Sequence, residues 1–365
     1  MGWLVVASAL FVAFVNGAND NMKGVATLLG AGILTYRRAL ALATMATALG
    51  ALASILFATG LIKAFSAKGL IPAEALTPSF LAAAAVGAGL TVLLATVTGM
   101  PVSTTHALVG GLAGAGFVAA GSQLNLMALG AAFLIPLVAS PLLAVPLAAA
   151  GYSTGRWLRV RLGVESETCL CVGQEWIPIR GRNGAGAAVL AGFTVGYGTP
   201  QQCRERYVGA VAGVSAQGLA SAAHIASAGL VSFARGFNDT PKILGLIVGA
   251  SALSPQIGAL AIAAAMAVGG LVAARRVAET LAKKITPMNQ GQGLSGNLAT
   301  SLLVVAASRF GLPVSTTHVS TGGIVGVGSV GGALRLKPLA AVVSSWIATL
   351  PLAAAIGAGA MWILA

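Results

Sequence analysis

The chain has 365 residues, of which 57% are hydrophobic and 8% charged. An ordinary soluble domain carries about 25% charged residues, so the composition excludes a soluble globular enzyme, a disordered protein and a coiled coil, and leaves a set of helices in a bilayer. The formal net charge is +13, yet the basic residues sit in short gaps between apolar runs, at Arg37 and Arg38, at Lys63 and Lys68, at Arg275, Arg276, Lys283 and Lys284, and at Arg335 and Lys337; this is how charges flank membrane helices and not how they line a nucleic-acid footprint.

Residues 3–15 are apolar but follow no basic stretch, and Asn16-Gly-Ala-Asn-Asp20 offers no small-x-small cleavage pattern. The segment is expected to belong to the mature protein and not to a signal peptide. Further apolar runs occupy 22–35, 39–62, 80–98, 107–120 and 126–150. The stretch 151–207 is polar, with seven arginines, four glutamates and all three cysteines. Within it, Cys169-Leu-Cys-Val172 and Glu175-Trp-Ile-Pro-Ile179 read as short strands. Cys-x-Cys with one distant cysteine lacks the four ligands of a closed zinc site, so free thiols on a cytoplasmic loop are expected, with no metal and no cofactor. Apolar runs resume at 208–233, 243–251, 257–274, 298–307, 319–334 and 338–364. The length suggests about ten segments of spanning length, and several of the runs reach it, at about 20 residues. Others are half that and lie beside Gly- and Pro-containing breaks, the mark of discontinuous or re-entrant helices. The 49 glycines and many alanines suit close helix contact.

The two apolar halves repeat. Gly99-Met-Pro-Val-Ser-Thr-Thr-His106 recurs as Gly311-Leu-Pro-Val-Ser-Thr-Thr-His318, and Gly17-Ala-Asn-Asp-Asn-Met-Lys23 recurs as Gly236-Phe-Asn-Asp-Thr-Pro-Lys242. The same order at nearly the same offset indicates a duplication. The gap at 36–38 carries two arginines and its counterpart at 252–256 none, while 63–79 is weakly basic and its counterpart at 275–297 carries four basic residues. Charge that swaps between equivalent loops fits inverted topology under the positive-inside rule. The expected architecture is therefore an all-α polytopic membrane protein: a first transmembrane repeat at 1–150, a polar connector at 151–207 on the cytoplasmic side, and a second repeat at 208–365, inverted, with broken helices and re-entrant helical hairpins.

The chemistry concentrates in the repeated motifs. A carboxylate in an apolar segment is costly and usually faces a cavity. Asp20 and Asp239 are two of only eight acids, each preceded by Asn19 or Asn238 and followed three residues on by Lys23 or Lys242, a spacing that puts acid and base on one helix face. Structural ion pairs would give the same pattern, but a pair duplicated symmetrically favours a shared site. In Pro-Val-Ser-Thr-Thr-His, proline and Ser103 or Ser315 suit a helix start, where free backbone N–H groups and partial positive charge attract anions. Thr104 and Thr105, with Thr316 and Thr317, add hydroxyls beyond what one cap needs. His106 and His318 close the motifs, as structural groups or as a proton-linked pair. His224 is expected to face a helix neighbour. Arg235 precedes Gly236 and could supply positive charge to the site, but its counterpart is Asn16, and it is not counted in the binding set.

These motifs resemble the inorganic phosphate transporter family, which also includes bacterial sulfate permeases. The resemblance covers both halves and not the connector. It implies a secondary transporter with an inverted-repeat membrane fold; the absence of targeting signals and eukaryotic-style tails suggests a prokaryotic plasma or inner membrane. Phosphate, or else sulfate or a related oxyanion, would be held between two re-entrant hairpins and coupled to Na⁺ or H⁺. Position by position it implies Asn19, Asp20, Asn238 and Asp239, with Ser103, Thr104, Thr105, Ser315, Thr316 and Thr317 around the anion. The family pattern runs Gly-x-x-Asp-x-x-Asn, the last Asn helping to form the cation-linked site. Here Lys23 and Lys242 replace it in both copies. An ammonium repels sodium and attracts an anion, so H⁺ coupling is expected over Na⁺, or transport without coupling. A channel would need a continuous polar lining, and an intramembrane enzyme a nucleophile with its base, for which Ser103 with His106 or Ser315 with His318 is the only arrangement; two half-sites serve one ligand better than two equal active sites serve catalysis. A homodimer is left open.

Overall fold

The computed structural model describes residues 1–180, 186–284, 288–332 and 334–365. In chain order come α1 (Gly2–Asp20), the short α2 (Ala26–Gly30), α3 (Tyr36–Phe57), α4 (Thr59–Phe65), α5 (Pro78–Thr98), α6 (Thr104–Ala120), α7 (Leu126–Leu129) and α8 (Ile135–Arg161). A π-helical turn at Gly130–Leu134 joins α7 to α8. Then follow β1 (Cys169–Arg180), β2 (Gly186–Gly198), α9 (Pro200–Arg206) and β3 (Val208–Ser215). The chain ends with α10 (Ala216–Gly249), α11 (Pro255–Ala273), α12 (Arg275–Lys284), α13 (Gln290–Arg309), α14 (Thr316–Gly331) and α15 (Leu336–Leu364).

Local chemistry sets the helix ends. Thr77 and Ser254 cap α5 and α11, with Pro78 and Pro255 at the first helical position, where a missing N–H costs nothing. Asn289 and Gln292 form a reciprocal capping box on α13. Gly99 takes φ 73° and closes α5 just before the first Ser-Thr-Thr turn; a side chain there would strain the backbone.

Among the described residues, six helices are long and apolar enough to cross a membrane: Gly2–Asp20, Tyr36–Phe57, Pro78–Thr98, Leu126–Arg161, Pro255–Ala273 and Leu336–Leu364. That is fewer than the apolar runs led one to expect. α6 and α14, which follow the Ser-Thr-Thr turns, have 17 and 16 residues, short of a full span. α10 is long but carries the buried charges Arg235, Asp239 and Lys242, and the first turns of α13 are polar.

The chain forms two compact units, Met1–Tyr152 with Ile225–Ala365, and Ser153–His224. The connector is thus longer than the expected 151–207. Residues 208–215, read as the start of the second transmembrane repeat, are strand β3, paired antiparallel with β1. In this smaller unit β1 is the central strand of an antiparallel sheet ordered β2-β1-β3, with Cys169 opposite Gly198 on one side and Ser215 on the other. The free-thiol expectation is corrected. Cys171 and Cys203 form a disulfide, their Cα atoms 6.1 Å apart, and only Cys169 is a free thiol among the described residues. β1 and the capped α9 bring the two sulfurs together across 32 residues. With the cross-link the argument for a reducing, cytoplasmic face falls away. The Arg206 guanidinium lies 2.8 Å from Glu175 and holds its carboxyl below the usual carboxylate range.

In the larger unit the two halves exchange matching contacts. A Cβ added at Gly17 of α1 would collide with the Met266 carbonyl of α11; one added at Gly236 of α10 would collide with the Thr47 carbonyl of α3. Gly50 meets Phe233, and its counterpart Gly269 meets Phe14, in the same way. Each repeat's first helix therefore packs, backbone on backbone, against the other repeat's second, an approach that only small residues allow. The same exchange brings α6 against α15 at Gly110 and Leu350, and α14 against α8 at Gly322 and Pro141. These crossings place the two repeated motifs of each half beside those of the other.

Candidate functional site: a crossed pair of hydroxyl turns

Both Pro-Val-Ser-Thr-Thr-His strings are helix starts. Ser103 and Ser315 are extended N-caps, with φ −98° and −102°, and their hydroxyls accept from the backbone N–H groups of His106 and His318. Thr104, Thr105, Thr316 and Thr317 fill the first turns and are buried. Two asparagines hold the turns in place. The Asn19 amide donates to Thr96 Oγ1 at 3.1 Å and to the Met100 carbonyl at 3.0 Å, and its oxygen accepts from the Val102 N–H at 3.1 Å. Asn238 donates to the Val314 carbonyl and to Thr316 Oγ1, and accepts from Ser308 at 3.0 Å.

The lysines then cross between halves. Lys23 Nζ donates to Asp20 Oδ1 at 2.5 Å, to the Val102 carbonyl, and to Thr317 Oγ1 of the other half at 2.7 Å. Lys242 Nζ donates to Asp239 Oδ1 at 3.3 Å, to the Val314 carbonyl at 2.6 Å, and to Thr105 Oγ1 of the other half at 2.6 Å. Each ammonium thus meets one carboxylate, one carbonyl and one hydroxyl. The hydroxyls close the ring: Thr105 donates to the Val314 carbonyl at 3.2 Å and Thr317 to the Val102 carbonyl at 3.0 Å. Asn16, one turn before Asp20, joins the two acids. Its Nδ2 lies 3.3 Å from Asp20 Oδ2, 3.1 Å from Asp239 Oδ2 and 2.9 Å from Thr104 Oγ1.

All twelve side chains singled out as the binding set therefore lie in one buried cluster. Asp20, Asp239, Lys23 and Lys242 are each at most 7% exposed, and buried charges of this kind persist only when paired and hydrogen-bonded. Beside Lys23 and Thr317 a cavity of about 50 Å³ opens toward Thr321, Gln292 and Asn297. His106 and His318 also meet, with ring centroids 4.5 Å apart. His318 stacks on Trp346, with ring centroids 3.6 Å apart, and its Nδ1 lies 2.8 Å from Ser315 Oγ. No group of three His, Cys, Asp or Glu side chains suited to a metal occurs among the described residues.

Sequence reasoning left out Asn16 and Arg235. Both lie four residues before the motif aspartates and both are buried, at 0% and 1% exposure. That i,i+4 spacing was available as a signal, since it places each on the same helix face as its aspartate.

The model of the phosphate transporter family matches residues 16–357, across both halves and the small unit. The chain belongs to this family. A Mycobacterium bovis protein named as a low-affinity inorganic phosphate transporter is 29% identical over 369 residues, 97% of this chain and 75% of its own length. A Pyrococcus abyssi protein named as a phosphate permease is 27% identical over 402 residues, 98% of this chain and 96% of its own. A solved structure described as the sodium-dependent phosphate transporter shares the fold, with a TM-score of 0.76 at 21% identity, covering 100% of this chain and 98% of that one. As a member of the phosphate transporter family with six apolar helices of spanning length, the chain is a multi-pass membrane protein.

Proposed function

We propose that the chain is a secondary transporter that moves inorganic phosphate across a prokaryotic cell membrane by alternating access around the crossed cluster. In this reading the two halves are inverted repeats, and the segments entering α6 and α14 are re-entrant hairpins that deliver two helix N-termini to one anion. The observation that carries the reading is the reciprocal contact of Lys23 with Thr317 and of Lys242 with Thr105, which makes one site out of two half-motifs. Ser103, Thr104, Thr105, Ser315, Thr316 and Thr317 stand around the anion, and the two first turns supply free amides. Asn19 and Asn238 position the turns. Asp20 and Asp239 neutralise the ammonium groups.

Coupling follows from the same contacts. A carboxylate, a carbonyl and a hydroxyl are the oxygen donors a hard cation seeks, and in both halves a lysine ammonium already holds all three. Lys23 and Lys242 thus take the place of a bound sodium, and uptake is driven by protons or by the phosphate gradient alone. In this reading His106 and His318, whose rings are in contact, carry the proton. The disulfide supports a position for the smaller unit on the oxidising, outer face.

Purified protein in liposomes tests both parts. Uptake of labelled phosphate that saturates, and that excess phosphate suppresses far more than equal sulfate, is expected. Stimulation by external Na⁺ at fixed pH and potential would overturn the sodium-independent reading, and equal suppression by sulfate would move the substrate to the alternative, a sulfate or related oxyanion permease.

A further inference from the structure

Both lysines in the cluster are spent. An ammonium has three N–H donors, and each of the two faces three protein oxygens. Neither has a donor left for a ligand. Arg235 is the opposite case. It is 1% exposed, and Nε, Nη1 and Nη2 have no hydrogen-bond partner among the described residues. A guanidinium offers five donors in a planar fork, and burying it unpartnered is costly.

Three observations place it at the site. It lies one turn before Asp239 on α10. It occupies the position equivalent to Asn16, which bridges Asp20 and Asp239; the matched glycines Gly17 and Gly236, one residue on, lock both helices into equivalent packing. Its charge also acts on both Asp20 and Asp239. Two buried carboxylates thus stand against three buried cations, Lys23, Lys242 and Arg235, so one positive charge lacks a counter-charge among the described residues.

One acceptor in the cluster is also unsatisfied. Asn16 Oδ1 is buried without a hydrogen-bond partner among the described residues. Its orientation is fixed, because Nδ2 is the end that faces the two carboxylates and only a donor is tolerated there. The cluster therefore combines unused donors carrying a positive charge with one unused acceptor.

We propose that Arg235 and Asn16, the unequal pair in otherwise matched half-sites, are the clasp for a protonated tetrahedral oxyanion. The Arg235 fork takes two anionic oxygens side by side, and Asn16 Oδ1 accepts the hydrogen bond of the anion's hydroxyl. Phosphate near neutral pH keeps such a hydroxyl and sulfate does not, so Asn16 is the residue that separates the two. The proposal rests on the reading of the chain as a phosphate carrier, and it assigns that site's affinity and selectivity to residues outside the repeated strings.

The test uses the full chain in detergent and in liposomes, with inorganic phosphate and sulfate as probes. In the wild type, phosphate raises the thermal midpoint and sulfate does so weakly. Arg235→Gln removes a buried charge with no partner, so the ligand-free midpoint stays or rises, while the phosphate-induced rise disappears. Arg235→Lys keeps the charge and loses the fork, so KM for phosphate rises about tenfold or more with the maximal rate little changed. Asn16→Leu reduces the preference for phosphate over sulfate about tenfold. A phosphate response that survives in Arg235→Gln, or a wild-type KM in Arg235→Lys, overturns the proposal and leaves the carrier function standing. A ligand-free midpoint that falls in Arg235→Gln with phosphate affinity intact makes Arg235 structural, also against it. Equal competition by sulfate in the wild type removes the role of Asn16. A wild type that answers neither anion overturns the carrier function and the clasp together.

Discussion

The two half-sites are alike in what they do to each other and unlike in what they leave free. Asp20 with Lys23 and Asp239 with Lys242 each make an ion pair three residues apart, and each lysine ends on a threonine of the opposite turn. The backbone around them differs. α1 stops at Asp20 and Lys23 sits in the turn that follows, whereas α10 runs on through Asp239, Pro241 and Lys242. One turn upstream, Asn16 bridges the acids and Arg235 has no partner among the described residues. Duplication builds a closed frame from equal parts, and the ligand-facing chemistry falls to the positions where the copies have diverged.

Breaking the equal parts should give equal effects. Asp20→Asn leaves Lys23 buried without its carboxylate, and Asp239→Asn does the same to Lys242. Loss of one partner of a buried pair costs roughly 3–5 kcal/mol, so both variants should lose transport or fall sharply in thermal midpoint. The double variant Asp20→Asn with Lys23→Met, which removes both charges, should regain stability without regaining uptake. Wild-type uptake in either single variant would detach the pair from the pathway.

The crossing hydroxyls come next. Thr317→Val removes an acceptor from Lys23 and Thr105→Val one from Lys242. A hydrogen bond to a charged group is worth about 1.5–3 kcal/mol. The two variants should destabilise alike, and a clear inequality between them would show that the halves do not share the load. The reciprocal glycines are a further check. Gly17→Ala and Gly236→Ala each push a methyl into a carbonyl of the facing helix. Overpacking of this kind costs about 1–3 kcal/mol, again with matched losses expected in thermal unfolding.

Much of this frame was legible before any coordinates. Two strings repeated in order announce a shared site, and the physics of helix starts and buried charges names the twelve side chains. What repetition cannot show is a residue whose copies differ. Arg235 was passed over because its counterpart is Asn16, although its spacing to Asp239 already placed it on the site's face. More spanning segments were expected than the six helices that length and hydropathy mark among the described residues, because the apolar runs include the short helices that follow the Ser-Thr-Thr turns. Residues 208–215 are apolar enough to pass for the start of a membrane helix, yet they pair with β1. The disulfide was missed because pairing depends on where the strand and α9 bring Cys171 and Cys203, and spacing along the chain does not encode that.

The small unit supplies the last and smallest expected effect on transport. Its Cys171–Cys203 bridge closes a loop of 32 residues, for which the typical stabilisation is about 2–4 kcal/mol. All the residues argued to handle the anion lie in the other unit. The pair variant Cys171→Ser with Cys203→Ser should therefore lower the resistance of residues 153–224 to proteolysis while leaving phosphate KM and maximal rate within about twofold, the scale of a change of 0.4 kcal/mol. The bridge of the wild type also reports on sidedness. In intact cells a membrane-impermeant reductant followed by an impermeant maleimide should label Cys171 and Cys203 in the wild type, as expected for a bridge kept in an oxidising compartment. Labelling that requires broken cells would put the sheet on the cytoplasmic face. A large fall in uptake with the sheet loosened would mean that the small unit takes part in the transport cycle, and that the two matched halves are not sufficient for it.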